Sequence, residues 1–229
     1  MRRNVKKKNN PSVNIIANSN PVSPFTEQYR LIRNNIHFTS VDKEIQSIVI
    51  TSPEPSDGKS TIAANLAIVL AQQEKQVVLL DADLRKPTIH DTFNVSNEDG
   101  LTSVLTKKLN IDKAIHHSYV PNLFILTSGP IPPNPSELLD SKAMEATMEK
   151  LKKMFDYIIL DTPPILAVTD SQILANKNDG VVLVVASGKT QKDHALKAKG
   201  LLEKAKAHML GVVVNSVKSN KKIHFSQYE

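Results

Sequence analysis

A chain of 229 residues is long enough for one α/β domain with a full core. With 4% aromatic residues and no Trp, that core must come mainly from Leu, Ile, Val and Ala. The absence of Cys excludes disulfides and thiolate metal sites and fits a reducing compartment. The net charge is +6, but Arg2, Arg3, Lys6, Lys7 and Lys8 hold five of the positive charges. The rest is close to neutral, which argues against a nucleic-acid-binding domain, whose basic face should be on the fold.

No apolar run approaches the roughly 18 residues that a membrane span needs, and no apolar stretch follows the basic N-terminus as in a signal peptide. The chain therefore reads as cytoplasmic. The basic tail suits contact with anionic lipid at the inner membrane surface, or simple solvation. Residues 1–23 read as a disordered tail rich in Asn, Ser, Pro and Lys.

A helix is predicted from about Pro24, with Tyr29, Ile32 and Ile36 on one face. Glu27, Arg30 and Arg33 recur every three residues and share another face, which by itself reads as a solvated surface. The apolar run Ile48-Val49-Ile50 reads as a short buried strand, and residues 62–70 read as a helix. Between them stand a turn-rich segment and Gly58-Lys59-Ser60-Thr61. Strand, loop, Gly-Lys-Ser-Thr and helix make a phosphate-binding loop. Its amides and the helix N-terminus would cradle a polyphosphate. Lys59 would reach the outer phosphates, and Ser60 would hold Mg²⁺. The loop departs from the usual pattern at Pro53 and Ser56, where glycines are expected.

Val77-Val78-Leu79-Leu80 reads as a doubly buried parallel strand, and Asp81 and Asp83 follow it at the sheet edge that the loop occupies. A helix-capping role for one of these acids is the alternative. Weak helical patterns surround 101–105 and 111–115, and His116 and His117 read as surface residues with poor metal-site spacing. Leu123 to Thr127 reads as a strand, followed by a proline-rich loop and a helix starting near Pro135 and Ser136. Residues 143–155 read as a helix with a core stripe of Met144, Met148, Leu151 and Phe155. Tyr157-Ile158-Ile159-Leu160-Asp161 reads as a strand ending in a Walker B aspartate, which holds Mg²⁺ directly or through water. Residues 181–186 form a further strand, 189–207 an amphipathic helix and 210–215 the last strand. Asn215 at its end is placed to meet a nucleotide base, and residues 219–229 form a polar tail. Together these elements predict a doubly wound, mostly parallel sheet flanked by helices, with one domain spanning 24–218.

Four segments in this order resemble one family, the cytoplasmic catalytic modules of bacterial tyrosine kinases that govern capsule and exopolysaccharide synthesis. They are the Glu27/Arg30/Arg33 helix, Gly58-Lys59-Ser60-Thr61, Leu80-Asp81-Ala82-Asp83-Leu84-Arg85 and Asp161-Thr162-Pro163-Pro164. That family is similar to the Min-type and Par-type P-loop ATPases. The resemblance covers nearly the whole chain. It implies ATP and Mg²⁺ as ligands, transfer of phosphate to protein tyrosines including the kinase itself, and a separate transmembrane activator of the polysaccharide co-polymerase type. It also turns the Glu27/Arg30/Arg33 stripe into an oligomerisation contact of a ring that presents each tail to a neighbour's site. Relatives carry several tail tyrosines; here Tyr228 is the one candidate phosphosite. The nucleotide-site residues are then Asp57, Gly58, Lys59, Ser60, Thr61 and Asn215. Ser60, Asp81 and Asp161 form the metal site. Asp81 is the first candidate for the base, Asp83 supports it, Lys59 neutralises the β,γ-phosphates, and Arg85 adds charge stabilisation. The competing reading is a Min/Par-type regulatory ATPase that phosphorylates no protein. Its usual early-loop lysine has no counterpart in Ser52-Pro53-Glu54-Pro55.

Overall fold

The computed structural model describes residues 13, 15–39 and 44–217. Tyr228, the tail 219–229 and the basic residues 2–8 lie outside the described residues. Among the described residues, seven strands form one sheet: β1 (Ser47–Thr51), β2 (Val77–Asp81), β3 (Ile115–His117), β4 (Leu123–Leu126), β5 (Tyr157–Asp161), β6 (Gly180–Ala186) and β7 (Met209–Asn215). Their spatial order is β3-β4-β2-β5-β1-β6-β7, parallel throughout except for β3 against β4. Strands β1 and β2 are buried at every position, as the apolar runs require of a sheet covered on both faces.

Two apolar layers do the covering. One holds α2 (Pro24–Thr39) and α3 (Lys59–Ala71). The other holds α5 (Leu101–Leu105), α8 (Lys142–Met154), α9 (Asp170–Lys177) and α10 (Lys192–Lys204). Helix α3 is buried from Ile62 to Ala71, so the polar-out stripe of a surface helix is missing and its sequence is apolar all round. At about 1.5–3 kcal/mol for each large aliphatic side chain fully buried, α3 and the central strands dominate the stabilisation.

The topology positions the site. Strand β5 inserts between β1 and β2, which are successive in sequence, and its register sets Asp161 opposite Asp81 on one side and Ile50 on the other. Two acids 80 residues apart thus end adjacent strands beside the loop that follows β1.

Three elements differ from expectation. The stretch 15–23 is ordered rather than part of a disordered tail: α1 (Ile16–Ser19) packs on α3 with Ala17 fully buried. Its backbone is held by side chains far along the chain. The Ala17 N–H donates to Asn65 Oδ1 at 2.9 Å, and Gln72 Nε2 donates to the Ala17 carbonyl at 3.0 Å. Strand β3 takes up Ile115, His116 and His117 as an antiparallel edge, leaving His117 exposed and His116 half-buried. Helix α9 carries too short a pattern to stand out from the loop that follows Pro164.

Candidate active site

The loop after β1 is built to turn its amides inward. Ser56 and Gly58 both take left-handed backbone, with φ of 63° and 97°. At Gly58 only glycine fits, because a Cβ would stand 2.0 Å from Asn215 Nδ2. Ser56 adopts its conformation against the steric preference of its own Cβ, at a cost of about 1 kcal/mol. No side chain caps the N-terminus of α3, so its first amides stay free for an anion. The segment after β5 braces the loop from below: the Ile165 N–H donates to the Ser52 carbonyl at 2.9 Å, and Thr51 Oγ1 donates to the Pro163 carbonyl at 2.9 Å.

Three acids and one lysine meet beside this loop. Lys59 Nζ lies 3.2 Å from Asp83 Oδ2, 3.3 Å from Asp161 Oδ1 and 3.2 Å from Ser60 Oγ. Burial alone would lower the Lys59 pKa, but Asp161, Asp83 and Asp81 together hold it above the usual lysine range. Asp81 is fully enclosed. Its Oδ2 accepts from the Thr88 and Ile89 amides at 3.0 Å each, and Oδ1 takes one longer bond from the Asp83 amide at 3.3 Å. Burial first, and then the charge of Asp161, push the Asp81 pKa up to about 7, against the pull of the Ile89 amide and Lys59. Asp161 is likewise raised by burial, opposed by Lys59 and the Ser60 hydroxyl. Its second oxygen, Oδ2, is buried and has no hydrogen-bond partner among the described residues.

Three carboxylates against one ammonium leave this enclosed rim short of positive charge, and the orphaned Asp161 oxygen beside Ser60 marks where a cation would relieve it. Among the described residues no group of three or more His, Cys, Asp or Glu forms a ready-made metal cage. That suits Mg²⁺, which takes one or two protein oxygens and completes its shell with water and phosphate.

Residues 45–198 match the family described as the AAA domain. The chain is similar to tyrosine-protein kinase YwqD of Bacillus subtilis (strain 168), 53% identical over 215 residues that cover 94% of this chain and 91% of that protein. It is also similar in structure to the kinase domain of Escherichia coli tyrosine kinase ETK, with a TM-score of 0.87 and 31% identity over 100% of this chain and 89% of that one. The chain belongs to the bacterial tyrosine kinases. The cell division ATPase MinD of Pyrococcus furiosus shares the fold at a TM-score of 0.64 and 25% identity, covering 74% of this chain and 71% of that one. The weaker likeness to MinD favours the kinase reading over a regulatory ATPase. The P-loop family carries nucleotide binding with it.

Several expected site residues of this kinase have other partners. Arg85 is one of them. Its Nε and Nη2 form a bidentate pair with the fully buried Asp170, at 2.9 and 3.1 Å, and Nη2 also donates to Ser136 Oγ at 3.1 Å. The arginine therefore joins the end of β2 to α7 (Pro135–Asp140) and α9, and the expected charge stabilisation by Arg85 gives way to a structural clamp. Ser136 reads in the sequence only as a helix start and Asp170 carries no signal, since the contact depends on where α7 and α9 dock. The Asp57 side chain is buried within the loop, accepting from the Glu54 amide at 3.0 Å and from Lys189 Nζ at 3.2 Å, so it shapes the loop. Asn215 Nδ2 donates to the Asp57 carbonyl at 3.0 Å, so the end of β7 holds the loop.

The α2 stripe lies away from the rim. Glu27 and Arg30 pair with each other, and Arg33 Nη1 donates to the Val69 carbonyl at 3.0 Å. Val69 is ten residues beyond Lys59 on α3, about 15 Å along the helix. The stripe and the acids therefore do not meet within one chain.

Proposed function

We propose that this kinase transfers the γ-phosphoryl group of ATP to tyrosine hydroxyls of proteins. The observation that carries the reading is the rim itself: Lys59, Asp81, Asp83 and Asp161 gathered beside a loop of inward amides, with Asp161 Oδ2 unpartnered. The loop amides and the start of α3 hold the phosphates. Lys59 exchanges its carboxylate partners for the β,γ-phosphate oxygens. Ser60 and Asp161 would hold Mg²⁺, which supplies charge stabilisation on the phosphates. A tyrosine oxygen forms a bond to the γ-phosphorus as the bond to the β-phosphate oxygen breaks, and ADP leaves. Tyrosine has a pKa near ~10, so its proton must pass to a base as the bond forms. Asp81, with a pKa of about 7 and a free lone pair on Oδ1, suits that role, and Asp83 keeps Asp81 and Lys59 in register.

The family resemblance supports a wider setting. Copies of the chain associate through α2, where Phe25, Leu31 and Phe38 are exposed beside the Glu27/Arg30/Arg33 stripe. A membrane-anchored activator docks on the kinase at the inner face of the membrane, and the output is control of extracellular polysaccharide synthesis. No described helix is long and apolar enough to cross a membrane, which is compatible with recruitment by a partner. Tyr228 is the proposed tail phosphosite.

The test is incubation of the full chain with labelled ATP and Mg²⁺, with and without the cytoplasmic fragment of an activator, followed by detection of phosphotyrosine. Phosphotyrosine on the chain or on added substrate is expected. ATP hydrolysis without any phosphotyrosine would return the chain to the regulatory-ATPase reading.

A further inference from the structure

Lys189 stands in the turn between β6 and α10 and reaches back 132 residues in sequence to the phosphate loop. Its ammonium donates to the Pro55 carbonyl at 2.6 Å and to Asp57 Oδ1 at 3.2 Å. The two partners differ in kind. The carbonyl fixes the backbone of the turn. The carboxylate is wholly buried, and its other oxygen is already engaged by the Glu54 amide. A buried carboxylate is costly unless paired, and Lys189 is the cation that pairs it. Asp57 lies two residues before Lys59, behind the amides that would face the phosphates, so an uncancelled charge there would repel a polyphosphate. His194 of α10 lies 3.0 Å from a Glu54 carboxylate oxygen, out of line for a hydrogen bond, and Asn215 of β7 holds the Asp57 carbonyl. The outer wall of the loop is thus clasped by the last third of the chain.

We infer that Lys189 is a positioning residue of the nucleotide site, holding the 54–58 turn in its anion-binding shape and cancelling the Asp57 charge beneath it. This rests on the nucleotide reading of the loop. A half-exposed lysine in an ordinary surface pair would contribute nothing measurable. Here one partner is fully enclosed and sits within the binding loop, which is what separates the two cases.

The test is calorimetric titration of ADP with Mg²⁺ into the full chain. Lys189→Ala is expected to weaken ADP binding about tenfold or more, a deficit that salt changes little because the enclosed Asp57 charge is poorly screened. Lys189→Arg should recover most of the affinity. So should Lys189→Ala combined with Asp57→Asn, because Asn keeps an acceptor for the Glu54 amide and removes the charge. The control is Lys199→Ala, an exposed α10 lysine paired with Glu203, which should bind as wild type. The rate of phosphorylation at saturating ATP should fall far less than the affinity. Should Lys189→Ala lose its fold by circular dichroism, Lys189→Met in the Asp57→Asn background against Asp57→Asn alone carries the backbone part of the comparison: weaker binding is expected, and equal binding overturns that part. Wild-type affinity in a folded Lys189→Ala overturns the proposal, as does a double variant no tighter than the single one. If the wild type itself binds no ADP, the nucleotide reading fails first and takes this inference with it.

Discussion

The acid rim and helix α2 are both rich in charge, yet they use it in opposite ways. At the rim the charged groups are enclosed and held by partners within the same chain: Lys59 faces Asp83 and Asp161, and Asp81 takes three amides. On α2 the charges lie at the surface, with Arg30 paired only to its helix neighbour and Phe25, Leu31 and Phe38 open to solvent. Phosphoryl transfer needs groups fixed before the substrate arrives, and central strands provide that rigidity. Association between copies needs an accessible surface, and a peripheral helix provides it.

The sharpest way to break this contrast is at Lys59. Lys59→Met should cut phosphotyrosine formation by about 10²- to 10³-fold or more while the circular dichroism spectrum stays unchanged. Normal turnover would take the rim out of the chemistry. Asp81→Asn should lower transfer about 10²-fold or more and leave ADP binding intact, as calorimetry would read. If ADP binding is lost instead, Asp81 belongs to the metal site. The same carboxyl carries a stability signature. Its folded pKa lies above the usual aspartate value of 3.8, so the fold binds this proton more tightly than the unfolded chain does. The resulting stability is full at low pH and fades as pH rises from about 4 to about 7. Asp81→Asn should therefore remove this part of the wild type's fall in melting temperature between about pH 4 and about pH 7.

Arg85→Ala probes the scaffold of the rim. It strands a buried Asp170 and should destabilise the fold by about 2–3 kcal/mol in urea unfolding, discounted from the fully buried case because the arginine is itself partly exposed. On the other side of the contrast, Arg30→Ala with Arg33→Ala should shift light scattering toward monomer with little change in melting temperature. An unchanged large species would make α2 an ordinary solvated face. The smallest effect is expected from Ser56→Gly, which relieves the left-handed serine and should stabilise the loop by about 1 kcal/mol or less, since glycine also gains freedom in the unfolded chain.

Legibility in the sequence followed the range of the interactions. The apolar runs at 48–50, 77–80, 158–160 and 181–186 could only be buried strands, and each is one. Gly58-Lys59-Ser60-Thr61 and the strand-ending acids stood out because their spacing is local. Strand β3 escaped notice because three residues hold no periodicity, and α1 because its order comes from Asn65 and Gln72. The role of Arg85 could not be read at all, since its partner lies 85 residues away.

By itself, then, the sequence determined where the buried parallel strands lie, which loop carries the phosphate-binding pattern and which acids end strands at one edge, because backbone conformation and apolar burial are set by near neighbours. Only the tertiary structure decided that β5 lies between β1 and β2, so that Asp81 and Asp161 stand side by side, that Arg85 clamps Asp170, and that Lys189 closes on Asp57. Those pairings join residues 80 or more positions apart, and they are fixed by how the layers pack.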